Sequence, residues 1–267
     1  MRPPKKPVVL AIAAHPDDIE FRMAGTMLLL GAQGCDLHYF NLSTGSCGST
    51  VYDAAKTRRI RSQEARRAAA ILGARWHSPL VDDLEIFYSL ELLRKVSAVM
   101  RKAAPTIVLT HPTRDYMEDH TNTARLAVTA AFARGMRNFK TTPAIKPFAH
   151  AVTVYHCTPH GLRDDSRVHC VPEAFVDTST VHKLKTKALE AHQSQIEWLE
   201  ASQGENSFTA RMNENSLRVG RMSKTFRHAE GWTRHLALGF CEEEADPLRD
   251  ILKEKYRYNP AFAESLS

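Results

Sequence analysis

The chain has 267 residues, of which 43% are apolar and 25% charged, with a formal net charge of +6. That length suits a single α/β domain, and the apolar share supplies a large core, which excludes a globally disordered chain. No apolar run reaches the roughly eighteen residues of a membrane span, and the opening Met1 to Lys6 leads straight toward a strand without a signal-peptide core.

The first element is an apolar run, read as a buried strand over 7–14, that stops at His15, Pro16, Asp17 and Asp18. A helix over 22–33, a strand over 36–43 and a helix over 55–73 follow. The last of these carries Arg58, Arg59, Arg61, Arg66 and Arg67 among Ala and Glu, and most of them should face water. It offers no aromatic between Ala54 and Ala74 for stacking on bases, so no nucleic-acid partner is expected. An anionic group on a substrate would use one or two of these arginines, and Arg61 is the substrate-binding candidate.

The helix over 88–104 has Leu90, Leu92, Leu93, Val96, Val99 and Met100 as its core stripe. A strand over 105–111, a helix over 122–135 and a strand over 150–156 continue the alternation, the last strand leading into His156-Cys157-Thr158-Pro159-His160-Gly161. Beyond it come Phe175-Val176-Asp177 and a helix from about Val181 to Glu200. The polar stretch Ala201 to Asn215 then reads as an active-site loop or an oligomer contact, which leaves a homo-oligomer open. A last polar group spans Phe226 to His235, where Glu230 reads as a helix-start acid or a partner of Arg234. Met212, Met222, Trp198 and Trp232 read as core or interface. The pattern as a whole is α/β: a Rossmann-like, mostly parallel sheet flanked by helices, forming a single domain over 1–267. Only Gly25 follows the first strand closely, so a dinucleotide site is not expected.

Two strands end in potential ligands. Imidazoles and carboxylates are costly to bury unpaired, so His15, Asp17 and Asp18 at the end of an apolar run suggest a site that uses their charge. His15 and Asp18 can offer a nitrogen and an oxygen to one metal, while Asp17 stays free to take a proton from water. The competing explanation is that Pro16, Asp17 and Asp18 cap the following helix. After the strand over 105–111 come His111, Arg114, Asp115, Glu118, Asp119 and His120. Parallel strands place both clusters on one edge, and His120 is the candidate third ligand, with Asp119 beside it to orient an imidazole.

Ala14-His15-Pro16-Asp17-Asp18 together with Asp115-Tyr116-Met117-Glu118-Asp119-His120 resembles the LmbE-like family, the PIG-L deacetylases, which are zinc-dependent enzymes acting on N-acetylglucosamine-type substrates. Gly25-Thr26, Leu42-Ser43-Thr44-Gly45, Arg61-Ser62-Gln63-Glu64-Ala65, Val176-Asp177 and the Lys183-to-Gln195 stretch resemble further family segments, and Ala229-Glu230-Gly231-Trp232 resembles a stretch near the domain end, which implies that Glu230 lies near the site. The resemblance implies one Zn2+ per chain held by His15, Asp18 and His120, with Asp17 as general base and a small-molecule amino sugar as substrate. Fe2+, Mn2+ or Co2+ would accept the same ligands. Many members have a histidine that acts as acid or oxyanion donor where this chain has Met117, and a thioether cannot donate a proton. His111, Tyr116, His156 and His160 are the available substitutes, with His160 as the catalytic candidate. Alternatives are a metal-containing metabolite-binding protein without hydrolysis, and a hydrolase of another amide. Cys35, Cys47, Cys157, Cys170 and Cys241 are odd in number and widely spaced, which fits a reducing cytoplasm.

Overall fold

A computed structural model describes residues 6–203 and 207–264. Eight strands form one sheet: β1 (Val8–Ala13), β2 (Asp36–Asn41), β3 (Arg75–His77), β4 (Ile107–Thr110), β5 (Thr153–Cys157), β6 (Ala174–Asp177), β7 (Ala229–Arg234) and β8 (Tyr256–Tyr258). Their order is β3-β2-β1-β4-β5-β7-β6-β8. The first five run parallel, and β7 and β8 enter antiparallel. Ten helices are described: α1 (Asp18–Arg22), α2 (Ala24–Ala32), α3 (Ala54–Ile71), α4 (Leu90–Ala103), α5 (Glu118–Phe132), α6 (His182–Leu189), α7 (Gln193–Gln203), α8 (Ser207–Met222), α9 (Pro247–Leu252) and α10 (Pro260–Glu264). None of them is long and apolar enough to cross a membrane.

A strand buried on both faces reads as a continuous apolar run, and β1 does so because it lies between β2 and β4. Val9, Ala11 and Ala13 belong to the core shared with α1, α2, α3 and α6; Leu10 and Ile12 belong to the opposite core, shared with α4 and α5. The single α/β domain expected from the sequence is therefore what the chain adopts, with β3, β6, β7 and β8 added to the four expected strands. Three details differ. Leu90 is exposed at the first position of α4, where the helix has not yet reached the core. The helix expected over 181–200 breaks between α6 and α7, and Glu64 of α3 caps the new start by accepting from the Ser194 amide at 2.8 Å and its hydroxyl at 2.6 Å. Most of the polar stretch 201–215 is helical, in the end of α7 and the first half of α8, while residues 204–206 lie outside the described residues.

Glu230, on β7, fastens α2 to the sheet. Its carboxylate accepts from the Gly25 and Thr26 amides, each at 2.8 Å, and from the Thr26 hydroxyl at 2.6 Å. It also pairs with the buried Lys185 of α6 at 2.7 Å. It thus serves a helix start far away in sequence and, contrary to what the family resemblance implies, does not border the cavity lined by His15, Asp18 and His120, while Arg234 pairs with Glu173 instead. Gly25 is required there, because a Cβ would sit 2.4 Å from Thr178. Glu230→Ala should cost about 3–5 kcal/mol by stranding a buried ammonium and two helix amides, read as a lowered urea midpoint.

Burial lowers the pKa of His77 and of His156 to about 4, from 6.5, with the neighbouring His38 adding to the effect at His77. The unfolded chain therefore binds more protons between those values, and these two groups' contribution to stability is complete above about pH 6.5 and declines as pH falls toward 4. The expected outcome is a loss of stability between about pH 7 and about pH 5 that is smaller in a His77→Gln/His156→Gln double variant than in the parent. An equal loss in both proteins would contradict it.

Candidate metal centre

The parallel register lines up β1 and β4, so the segments leaving their carboxyl ends meet over the same edge of the sheet. The end of β1 delivers His15, Asp17 and Asp18, the loop after β4 delivers His111 and Asp115, and the first turn of α5 delivers Asp119 and His120. Candidate ligand atoms of His15, Asp18 and His120 all lie within 4.8 Å of one another. His15 Nδ1 is 3.4 Å from Asp18 Oδ2, and His120 Nε2 is 3.4 Å from Asp18 Oδ1.

Each imidazole is held from behind by a carboxylate. His15 Nε2 meets Asp119 Oδ2 at 3.0 Å, and His120 Nδ1 meets Asp115 Oδ1 at 3.1 Å. These outer bonds fix which nitrogen points inward. Asp119 therefore orients His15, across 104 residues, and not the adjacent His120. It also accepts from the Leu84 amide at 2.9 Å. Asp115, named in the sequence only as one of several polar residues, has the corresponding role for His120.

The electrostatics call for a cation. Burial opposes the charged form of His15, yet its hydrogen bonds to Asp119 and Asp18 outweigh this and raise its pKa to about 10. The same balance, with Asp18 and Asp115 as partners, brings His120 to about 9. Asp18 is pulled well below the usual carboxylate range, because His120 and His111 more than offset its burial. Two nitrogens and a carboxylate, oriented by outer carboxylates, fit a small divalent cation such as zinc. A second grouping, His111 with Asp115 and His120, fits less well. The Ala14 amide already donates to His111 Nε2 at 3.0 Å, and the His111 ring stacks on His120 at 4.1 Å.

Asp17 sits at φ 107°, a left-handed conformation that is strained for a residue with a side chain, and makes no side-chain cap bond to α1. The capping explanation of this carboxylate thus falls away. The Arg61 guanidinium binds Asp17 Oδ2 at 2.7 Å and also the Pro16 carbonyl. Burial raises the Asp17 pKa to about 6 against the pull of Arg61. Arg61 is itself buried, in a slot kept open by Gly45, at φ 77°, where a Cβ would lie 2.6 Å from it. The surrounding Arg58, Arg59, Arg66 and Arg67 are exposed, as expected.

These groups line a cavity of about 440 Å³. Met117, His111, Tyr116 and His160 all border it, whereas His156 does not: its Nδ1 is bonded to the His111 carbonyl at 2.7 Å and its Nε2 to His235 at 3.0 Å. The His160 ring packs on Phe21 at 4.8 Å and lies 6.3 Å from the Tyr116 ring. Burial, with Arg22 nearby, lowers its pKa to about 4, so it faces the cavity as a neutral imidazole. Trp198, read as core or interface, borders the same cavity, while Trp232 is buried in the main core. Arg22 borders the cavity too and was not singled out from the sequence, although it follows Asp18 by one helical turn.

Residues 10–131 match the family model described as PIG-L: GlcNAc-PI de-N-acetylase. The chain carries a PIG-L (LmbE-like) family domain. All residues of the metal grouping and Asp17 lie within that matched segment, whereas His160 lies outside it. Diacetylchitobiose deacetylase of Thermococcus kodakarensis is 33% identical over 143 residues, 51% of this chain and 54% of that protein. The 4-oxalmesaconate hydratase of Pseudomonas putida is 30% identical over 168 residues, 60% of this chain and 64% of that protein. The chain thus spans between half and two thirds of the length of these curated relatives.

Two solved structures share the fold of the PIG-L domain and its extensions. N,N'-diacetylchitobiose deacetylase from Pyrococcus horikoshii superposes with a TM-score of 0.74 at 24% identity, covering 88% of this chain and 85% of that one. GalB, the 4-carboxy-2-hydroxymuconate hydratase from Pseudomonas putida, superposes with a TM-score of 0.71 at 24% identity, covering 85% of this chain and 95% of that one.

Because Asp119 is the one partner of the outer nitrogen of His15 among the described residues, Asp119→Ala should weaken metal affinity about 10–100-fold. Competition against a chelating dye checks this, with folding followed by circular dichroism.

Proposed function

We propose that the protein is a metal-dependent hydrolase that removes an acetyl group from an N-acetylglucosamine-type amino sugar or conjugate. The observation that carries this reading is the His15, Asp18 and His120 grouping with the strained, Arg61-held carboxylate of Asp17 immediately beside it. The 33% identity to a protein named diacetylchitobiose deacetylase supports it.

Zinc is the favoured ion, one per chain, with Fe2+, Mn2+ and Co2+ compatible with the same donors. When bound by His15, Asp18 and His120, it would supply Lewis-acid polarisation of the acetyl carbonyl and acidify water. Asp17 takes the proton of the attacking water. Arg61 engages Asp17 Oδ2, and among the described residues no hydrogen bond reaches Oδ1, so one oxygen is held and the other is available. Arg61 in this reading positions the base, in place of the direct substrate contact expected from the sequence. Asp119 keeps His15 oriented while charge develops. Met117 has no proton to give; the neutral His160 imidazole or the Tyr116 hydroxyl, both on the cavity wall, donates a hydrogen bond to the oxyanion, and the proton taken by Asp17 passes to the departing amine. The free thiols support a reducing cytoplasmic setting. The reading involves neither nucleic acid nor membrane, and it leaves a homo-oligomer compatible with the fold.

A second reading, addition of water to an unsaturated carboxylic acid, is favoured by the 30% relative named a hydratase and by the unpaired guanidinium of Arg22 in the cavity. Assay of zinc-loaded protein on N-acetylglucosamine and its conjugates separates the two, since free acetate with a free amine marks the deacetylase. For the first reading, Asp17→Asn should lower turnover by about 10²–10⁴-fold while bound zinc, read by elemental analysis, is retained. Turnover unchanged in that variant would exclude Asp17 as the base.

A further inference from the structure

Among the described residues, Arg22 is a buried cation with no acid in an ion pair with it. Only 8% of its surface is exposed, it borders the cavity, and its Nε and Nη2 have no hydrogen-bond partner. The other two buried arginines, Arg61 and Arg101, each leave only Nε without a partner, and their terminal nitrogens are engaged. Arg61 has Asp17 and the Pro16 carbonyl, and Arg101 has the carbonyls of Ala133, Met136 and Ile145. A guanidinium does not lose its proton to escape burial, so an unpaired one is a standing cost to the fold unless a ligand supplies the acceptors. Nε and one terminal nitrogen form an edge with two parallel N–H groups, which matches the two oxygens of a carboxylate.

Its place in the cavity adds the second constraint. Asp18 and Arg22 are the first and last residues of α1, four apart and so on one face of the helix. The guanidinium is therefore about one helical turn along from the metal grouping, roughly 5–6 Å measured between Cβ atoms. Beside it the cavity wall is ring-lined, with Phe21, Tyr116 and Phe208. Such surroundings strengthen a charge-paired contact by excluding water.

We propose that Arg22 is a specificity-determining residue that receives a carboxylate of the substrate, so that the preferred ligands carry a carboxylate about one helical turn from the reacting centre. For an amide substrate this means an N-acetylated amino sugar bearing an acidic substituent. The amide part rests on the hydrolase reading, whereas the carboxylate part stands on Arg22 alone.

The test compares the 3-O-lactyl ether of N-acetylglucosamine with its methyl ester, a pair that differs by one carboxylate. Binding to the zinc-loaded protein is measured by calorimetry, and acetate release is measured in parallel. The acid should bind about 10- to 100-fold more tightly than the ester. In Arg22→Met that gap should close through weaker binding of the acid alone, and Arg22→Lys should restore part of it. A carboxylate that merely sits on the metal would keep its advantage in Arg22→Met, and this would overturn the proposal. Equal binding of acid and ester by the parent protein, or no binding of the acid, would overturn it as well. Arg22→Met should also raise the melting temperature, since it replaces an unpaired buried charge by an apolar chain, so an unchanged gap cannot be blamed on misfolding. Tight, Arg22-dependent binding of the acid without acetate release would retain the carboxylate site and reject the deacetylase reading.

Discussion

Asp18 is the residue on which the site depends, because both of its oxygens face imidazoles that are themselves backed by carboxylates. His15 stands between Asp18 and Asp119, and His120 between Asp18 and Asp115. In a buried setting such an alternation is held together by charge, and it places more negative than positive groups around one point. The two imidazoles respond by holding protons far above their ordinary range. A divalent cation meets the same demand while freeing the inward nitrogens, which is why this cluster reads as a ligand set and not as an ion-pair network that stabilises the fold for its own sake.

The fold provides the precision that this arrangement needs. Pairing of β1 with β4 fixes the separation of the two clusters, since their register is locked by backbone hydrogen bonds between two fully buried strands. Elements far away in sequence then hold the surrounding wall. Glu230 on β7 ties down the start of α2, Glu64 on α3 ties down the start of α7, and Arg61 on α3 holds Asp17. Each is a buried charge used as a fastener between layers, and together they let α3, α7 and α8 close one side of the cavity over the metal grouping.

The cavity holds two kinds of polar group with different standing. Asp17, Asp119 and Asp115 are all engaged with protein partners, which gives them defined positions before any ligand arrives. Arg22, whose Nε and Nη2 have no hydrogen-bond partner among the described residues, and the neutral His160 ring lie toward the Phe21 and Tyr116 side of the cavity. That division separates a preorganised reacting centre from a wall whose chemistry selects what enters.

Much of the fold was legible in the chain. A strand buried on both faces must be apolar throughout, so the runs before His15 and before His111 identified themselves, and their abrupt polar ends marked the site. His15, Asp17, Asp18 and His120 followed from local sequence and from resemblance to the PIG-L family. What each of them leans on did not. Asp119 adjoins His120 in sequence but orients His15, because α5 turns its first residues toward β1. Arg61 sits among solvent-facing arginines and is buried only because the loop at Gly45 and Gly48 leaves a slot for it. Glu230 resembled a local salt-bridge partner of Arg234, yet its carboxylate ends between α2 and α6. The sequence by itself determined which residues carry chemistry and which segments are layers of the sheet, since periodicity and residue type are local properties. The tertiary structure alone decided the pairing of buried charges, and it leaves Arg22 Nε and Nη2 without a partner among the described residues. A charge in low dielectric is governed by whichever group lies within a few ångströms, regardless of its distance along the chain.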